Sequence, residues 1–192
     1  GTQPTAGDVK YADLNNDGII DERDKKVVSP YSNTPEIMFG LNLSASWKGF
    51  DFSALFQGAA NRNVMLGGFA TQMFINGDAN LPRYLYEDRW TPDNRDARYP
   101  KAWGPDHPSN NKSSTFWLIN GNYVRLKNVE LGYSISKDIL SRVGVDRLRI
   151  YVGGSNLFSI DHMPGYDPEK QDGGPNYYPQ QKVFNMGVNI TF

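Results

Sequence analysis

Residues 13–24 carry an ordered series of oxygen-bearing groups that could bind a hard cation. Counted from Asp13, side-chain oxygens fall at positions 1, 3, 5, 9 and 12, and a backbone carbonyl is added at position 7. The ligands predicted by this spacing are Asp13, Asn15, Asp17, Ile19, Asp21 and Asp24. Because Ca²⁺ is bound by about six to eight such oxygens in EF-hand loops, the segment predicts a structural calcium site.

Two features of this loop bear on how a cation would be held. Gly18 occupies the sixth position, where an EF-hand chain turns sharply. Asp24 stands at the twelfth position, where an EF-hand has glutamate, as in the calcium loops of dockerin modules. A metal-free polar loop built from Asx turns is the alternative that the same residues allow.

No other set of residues has the spacing of a catalytic centre. The chain has no cysteine, which removes thiolate chemistry and disulfides, and its two histidines, His107 and His162, belong to no metal or nucleophile motif. We expect both histidines to be solvated loop residues. A net charge of -1 with scattered Lys and Arg gives no electrostatic footprint for nucleic acid. The sequence therefore predicts that the chain is not an enzyme and has no nucleic-acid partner.

The elements that must position these residues are β-strands. Alternation of apolar and polar side chains with a period of two predicts strands at 37–47, 50–58, 122–134, 147–158 and 183–192. Lys48 and Gly49 predict a tight turn between the first two strands. In the third strand the alternation slips near Lys127 and Asn128, which predicts a β-bulge. Each segment has about the nine to eleven residues that a tilted strand needs to cross a bilayer.

Each predicted strand has one apolar and one polar side. The apolar sides include Phe39, Phe52, Leu131, Ile150 and Ile190, which we expect to face lipid. The polar sides, which we expect to line a hydrated interior, carry Asn42, Ser44, Asp51, Ser53, Gln57, Arg149, Asn185 and Asn189. This pattern predicts an all-β fold, specifically part of an antiparallel transmembrane β-barrel.

The connections between strands alternate between short and long, which is typical of barrels with short periplasmic turns and long extracellular loops. Residues 1–35 are then expected outside the cell as a loop with the calcium motif, and residues 36–192 supply barrel strands and loops. Bacterial single-chain barrels have an even number of strands, so five strands predict the last part of a larger barrel whose remainder precedes Gly1.

Aromatic side chains are concentrated in the two long connections. Such rings can stack on sugars or peptides, or they can pack loop against loop and at protein interfaces. The residues concerned are Tyr84, Tyr86, Trp90, Tyr99, Trp103, Trp117, Tyr166, Tyr177 and Tyr178.

The order of short motifs resembles the carboxyl-terminal region of the SusC/RagA family of TonB-dependent outer-membrane transporters from Bacteroidetes. The motifs are GDVKY (7–11), the loop at 13–24, RWTPDN (89–94), NYVRLKNV (122–129), LGY (131–133), LRIY (148–151), NLF (156–158), GYDPE (165–169) and GVNITF (187–192). The last motif also resembles the signal read by the barrel assembly machinery, with Asn185, Gly187, Ile190 and Phe192 as the residues concerned.

This resemblance implies a barrel of about 22 strands with a plugged lumen in the bacterial outer membrane. It also implies a SusD-like surface lipoprotein as partner, energy from the TonB complex acting through an upstream part, and oligosaccharide or peptide as cargo. The alternative from composition and pattern alone is a secreted soluble β-module that binds carbohydrate with calcium.

Overall fold

The computed structural model describes residues 4–74, 80–104, 107, 109–140, 144–170, 178 and 180–192. The strands are β1 (Ile37–Trp47), β2 (Phe50–Ala60), β3 (Asn63–Met65), β4 (Leu118–Asn120), β5 (Tyr123–Ser134), β6 (Arg147–Ile160) and β7 (Val183–Thr191). Two short α-helices, α1 (Arg83–Glu87) and α2 (Lys137–Leu140), and 3-10 turns at Glu22–Asp24 and Gly68–Ala70 lie in the connections. None of the described helices is long and apolar enough to cross a membrane.

The five long strands form one antiparallel sheet in the order β1-β2-β5-β6-β7. These are the five strands that the alternation predicts, and β2 and β6 run two residues further than expected, to Ala60 and Ile160. The two-stranded sheet of β3 and β4 was not predicted. Its strands have three residues each, which is too short for a periodic pattern to show.

The predicted turn and bulge are both present. Lys48 and Gly49 adopt φ angles of 47° and 88° and join β1 to β2. The pairing of β5 with β2 and with β6 shifts at Lys127. Opposite this shift in β6, Asn156 lies in the left-handed region at φ 53°. An extra residue in left-handed conformation is the geometry of a bulge. The bulge restores Val129 and Leu131 to the apolar side.

The apolar sides of all five strands lie on one face of the sheet, and this face is exposed. The register places Ala45, Phe52, Leu131, Val152 and Met186 in one row across β1, β2, β5, β6 and β7. Exposed fractions on this face include 42% for Phe39, 39% for Phe52, 47% for Leu131, 47% for Ile150 and 52% for Ile190. These side chains do not converge on a shared interior, as the expected contact with lipid requires.

The buried core lies at the end of the sheet where the long connections begin. We call it the loop cluster; its buried apolar residues are Val64, Leu66, Ala70, Met73, Leu85, Tyr99, Trp103, Trp117 and Met163. All but Met163 come from the connection between β2 and β5, and Met163 comes from the connection between β6 and β7. The large buried apolar side chains therefore lie mainly in the loops, and most of those on the apolar face of the sheet are exposed.

A pair of arginine substitutions tests the assignment of the two faces. Leu43 lies midway along β1 on the apolar face, and Ser44 is its neighbour on the polar face. In the full protein, Leu43→Arg is expected to cost about 2–4 kcal/mol, because the charge enters the bilayer near its midplane, and Ser44→Arg should cost under about 1 kcal/mol. Denaturant unfolding of the protein inserted in lipid vesicles measures both. Equal destabilisation by the two variants would contradict the assignment.

Candidate functional site: the polar face and the loop cluster

A charged triad spans three strands on the polar face. Arg149 of β6 donates from Nε to Asp51 Oδ1 of β2 at 2.9 Å and from Nη2 to Glu130 Oε1 of β5 at 2.6 Å, and its Nη2 also bonds Asp51 Oδ2. The guanidinium crosses over Gly132, where an added Cβ would lie 2.6 Å from Arg149 Cζ. Glycine is therefore required at this position for the arginine to reach both carboxylates.

Gly187 has a similar role one strand further on. Tyr151 of β6 lies over it, and a Cβ at Gly187 would come 2.5 Å from Tyr151 Cζ. Of the predicted assembly-signal residues, Asn185 and Gly187 lie on the polar face of β7 and Ile190 on its apolar face, while the terminal Phe192 is 84% exposed. The packing of Tyr151 accounts for the glycine independently of any assembly role.

A buried ion-pair network fixes the connection between β6 and β7 against β5. Arg125 bonds Asp167 Oδ1 at 2.9 Å and Glu169 Oε1 at 3.0 Å, and Lys127 bonds Glu169 at 2.9 Å. The Arg125 and Asp167 side chains are only 7% and 5% exposed. Removing one member would leave an uncompensated buried charge, so the network holds the segment 161–170 firmly on the strand.

Asp167 also joins the two ends of this connection by hydrogen bonds. Its carboxylate accepts the backbone N–H of Glu169 at 2.9 Å and that of Gln180 at 3.1 Å. Burial acts to raise the pKa of Asp167, but these backbone bonds and the Arg125 guanidinium outweigh it, and the net effect is a lowered pKa. The carboxylate is therefore held in its charged form.

Arg62, between β2 and β3, ties the two long connections together. Its guanidinium donates to the Pro168 carbonyl at 2.9 Å and to the Lys170 carbonyl at 2.6 Å. The residue is 2% exposed, and this burial lowers the pKa of its guanidinium. Its Nε has no hydrogen-bond partner and abuts Gly121, whose added Cβ would lie 2.9 Å away.

A third polar centre joins the start of the chain to the loop cluster. The Asp8 carboxylate, 3% exposed, accepts the Thr5 N–H at 2.9 Å, the Asn110 side-chain amide at 3.0 Å and the Lys101 ammonium at 3.1 Å. Burial acts to raise the pKa of Asp8, but these bonds prevail and lower it to about 2. His107 Nε2 is 3.3 Å from the same carboxylate.

The expectation that His107 is a solvated residue was wrong. Its side chain is 21% exposed, and Nδ1 accepts the backbone N–H groups of Ser109 and Asn110 at 3.3 and 3.2 Å. The acceptor role of Nδ1 places the proton of the neutral ring on Nε2, which faces Asp8. The histidine thus bridges two parts of the loop structure.

Several loop aromatics pack against one another in the loop cluster. Tyr99 and Trp117 stack with centroids 6.2 Å apart, and Tyr84 meets Tyr99 and Tyr166 edge-on at 5.3 and 5.9 Å. Burial, followed by the neighbouring Tyr166 and Tyr99, raises the pKa of Tyr84. Tyr86 and Tyr178 are exposed instead, at 56% and 81%, and Tyr177 lies outside the described residues.

The predicted calcium ligands lie in one compact loop held by its own hydrogen bonds. Asp13 accepts the Asn16 and Gly18 N–H groups at 2.7 Å each, and Asp24 accepts the Leu14 N–H at 2.7 Å. Gly18 adopts φ 81°, the sharp turn predicted at this position. A carboxylate offers about four acceptor sites, so these bonds leave lone pairs for a cation.

Arg23 is the nearest positive charge to these carboxylates. Its guanidinium lies 2.8 Å from Asp17 and 2.9 Å from Asp21, and its hydrogen bonds lower the pKa of Asp21. Over the part of the chain that the structure describes, no three acidic or histidine side chains are close enough to share one ion. The donor chemistry fits a hard cation. Binding of the cation would require Asp17 and Asp21 to release Arg23.

The sequence and the structure of the chain are both similar to those of known proteins. No family model matches the chain. It is 31% identical over 198 residues to the TonB-dependent receptor P26 of Formosa agariphila and 27% identical over 185 residues to the TonB-dependent receptor SusC of Bacteroides thetaiotaomicron. These matches cover 97% and 95% of the chain, and 20% and 17% of the relatives.

Solved structures agree with the sequence relatives. A structure of the RagAB peptide transporter matches at a TM-score of 0.59 and 28% identity, covering 84% of this chain and 18% of that one. The RagAB peptide importer in its closed-closed state matches at a TM-score of 0.63 and 25% identity, covering 92% and 20%. The chain is SusC/RagA-like. Its open antiparallel sheet is a barrel segment, and it spans about a fifth of the length of these relatives.

Four of the motifs that carry the SusC/RagA resemblance contact one another in pairs. Gly7 adopts φ 85°, and an added Cβ would lie 2.5 Å from Trp90, so the 7–11 motif packs directly on the 89–94 motif. Arg125 of the 122–129 motif pairs with Asp167 of the 165–169 motif. These relatives are receptors and transporters by name, which confirms that the SusC/RagA-like chain is not an enzyme.

Asp8→Asn tests the polar centre in which Asp8 contacts Lys101 and Asn110. Because the folded pKa is about 2, below the ordinary 3.8, the charged carboxylate contributes stability above pH 4, which is lost as pH falls through 2. In the full protein, the variant should lose about 2 kcal/mol at pH 7, with the deficit shrinking toward pH 2. Thermal unfolding across pH measures this, with the exposed Asp93→Asn as control. A deficit that does not change with pH would rule out the charge of Asp8 as its source.

Proposed function

We propose that this chain forms part of the wall and outer rim of an outer-membrane nutrient importer. The observation that carries the proposal is the sorting of the sheet into an exposed apolar face and a polar face with the Asp51, Glu130 and Arg149 triad. An exposed apolar face on a long antiparallel sheet suits lipid, and a charged, hydrogen-bonded opposite face suits a hydrated lumen. A soluble sandwich would instead cover the apolar face with a second layer.

The long connections are assigned to the cell exterior. The β1–β2 turn has two residues and the connection between β5 and β6 is compact, whereas the loop cluster extends from the other end of the sheet. Long loops on the outer side and short turns on the periplasmic side are the rule for such barrels. The loop cluster and the segment 10–36 then form a surface above the pore.

The names of the relatives support a proposal for the cargo and partners. One relative is named SusC, and the neighbouring structures are titled as peptide transporter or importer. We assign oligosaccharide or peptide as cargo, a SusD-like lipoprotein as the surface partner, and the TonB complex as the source of energy through the rest of the protein. The locked segment 161–170, held by Arg125 and Lys127, lies at the mouth of the path that cargo would follow.

Uptake by cells tests this function directly. A strain deleted for the full gene should lose import of labelled oligosaccharide or of labelled peptide, one class and not both, and regain it with the parent gene. Arg125→Gln should reduce uptake by freeing the loop base, and the double variant Arg125→Gln with Asp167→Asn should recover part of it by removing the unpaired charge. Unaltered uptake of both cargo classes in the deletion strain would contradict the proposal.

The end of β7 is assigned as a signal for the barrel assembly machinery. Asn185, Gly187, Ile190 and Phe192 are the residues concerned, and the exposure of Phe192 leaves its ring available for recognition. Deleting Phe192 should lower the amount of folded, heat-modifiable protein in the outer membrane severalfold, and Phe192→Tyr should preserve it. Normal folded levels in the deletion variant would contradict the assignment.

We further assign a structural calcium ion to the loop at 13–24, on the strength of its oxygen donors and the turn at Gly18. In the full protein, added calcium should raise the melting temperature of the parent, and Asp13→Ala with Asp17→Ala should abolish that rise. Glu22→Ala is the matched control, because Glu22 lies in the same loop outside the ligand positions. An equal rise in melting temperature with calcium in the double variant and the parent would contradict the calcium assignment.

A further inference from the structure

The turn between β1 and β2 contains a residue that its backbone conformation disfavours. Lys48 has φ 47° and Gly49 has φ 88°, so both central residues of the two-residue turn lie in the left-handed region. Hairpins of this type favour asparagine or glycine at the first position, where a lysine carries a conformational cost. A strained residue at a surface position is a reason to look for a function of its side chain.

The surroundings of Lys48 are aromatic. Its ammonium lies 4.8 Å from the centroid of the Trp47 ring. Trp47 pairs with Phe50 across the turn, Phe50 pairs with Tyr133, and the Phe50 and Tyr133 rings are 4.6 Å apart. None of the ion pairs among the described residues uses Lys48.

This row of rings differs from the opposite rim of the same face. Trp47, Phe50 and Tyr133 are 69%, 49% and 41% exposed at the short-turn end. At the long-loop end, the exposed aromatic residues of the apolar face among the described strands are Phe39 and Phe158, and neither tryptophan nor tyrosine is among them. Tryptophan and tyrosine favour the level of lipid headgroups, because one end of the ring system is apolar and the other is polar.

We propose that Lys48, Trp47 and Tyr133 form a binding site for the phosphate of a phospholipid headgroup at the short-turn rim. This site rests on the membrane placement proposed above. The ammonium contacts the phosphate, the Trp47 and Tyr133 rings lie at the level of the glycerol, and the acyl chains continue over Phe52 and Leu131, which are exposed further along the same face. In this site the charge of Lys48 has a role that offsets the conformational cost of its position in the turn.

Native mass spectrometry of the full protein, purified from outer membranes and stripped of lipid in detergent, tests the site. Titration with phosphatidylglycerol should show binding that is about fivefold weaker in Lys48→Asn, the loss expected for one cationic side chain at an anionic surface. Lys48→Arg should retain the parent affinity, and Lys10→Asn, which removes an exposed lysine beyond the other end of the sheet, should not change it. Asparagine suits the turn, so Lys48→Asn should fold at least as stably as the parent.

Two further probes separate the possible outcomes. Diacylglycerol with the same tails and inorganic phosphate alone should each fail to bind at this site, because the first lacks the phosphate and the second lacks the chains. Equal phosphatidylglycerol binding by Lys48→Asn and the parent would overturn the headgroup site while leaving the importer proposal intact. A parent protein that does not insert into phospholipid vesicles would overturn both.

Discussion

The structure depends on one constraint: a β-sheet that meets hydrocarbon must present only apolar side chains to it and keep its polar groups on the other face. The period-two alternation of five strands does this, and the register brings the apolar side chains into continuous rows. The slip at Lys127 would send later residues of β5 to the wrong face. The bulge at this point restores the order, which shows how strictly the constraint is met.

The same constraint explains where the core lies. Because the sheet exposes its apolar face, the buried apolar residues are found among the loops, around Trp117 and Leu85. Charged side chains then hold the loops: Arg125 of β5 pairs with Asp167, Arg62 donates to two loop carbonyls, and Asp8 pairs with Lys101 between two loop segments. In the importer that we propose, these paired charges would hold the rim around the cargo path rigid.

Local patterns in the sequence were enough to predict the sheet, because alternation, turn chemistry and the bulge all act within one or two strands. The Lys48 and Gly49 turn and the five strands follow from neighbouring residues. The pairs that hold the loops could not be predicted this way, since Arg125 and Asp167 are 42 residues apart and Asp8 and Asn110 are 102 apart. Their motifs carried the family resemblance, but the contacts that explain those motifs required the fold. His107 was misjudged for the same reason, because nothing adjacent to it in the chain indicates that Asp8 faces its ring.

The central claim is that one face of the sheet contacts lipid and the other contacts water, and site-directed spin labelling measures this most directly. This chain has no cysteine. After replacement of any cysteine in the rest of the full protein, single labels are placed at Leu41, Asn42, Leu43 and Ser44 of β1 in protein reconstituted in bilayers. We predict that labels at 41 and 43 collide mainly with oxygen dissolved in the bilayer, and labels at 42 and 44 mainly with a water-soluble nickel chelate. Equal accessibility of all four positions to the nickel chelate would contradict the account.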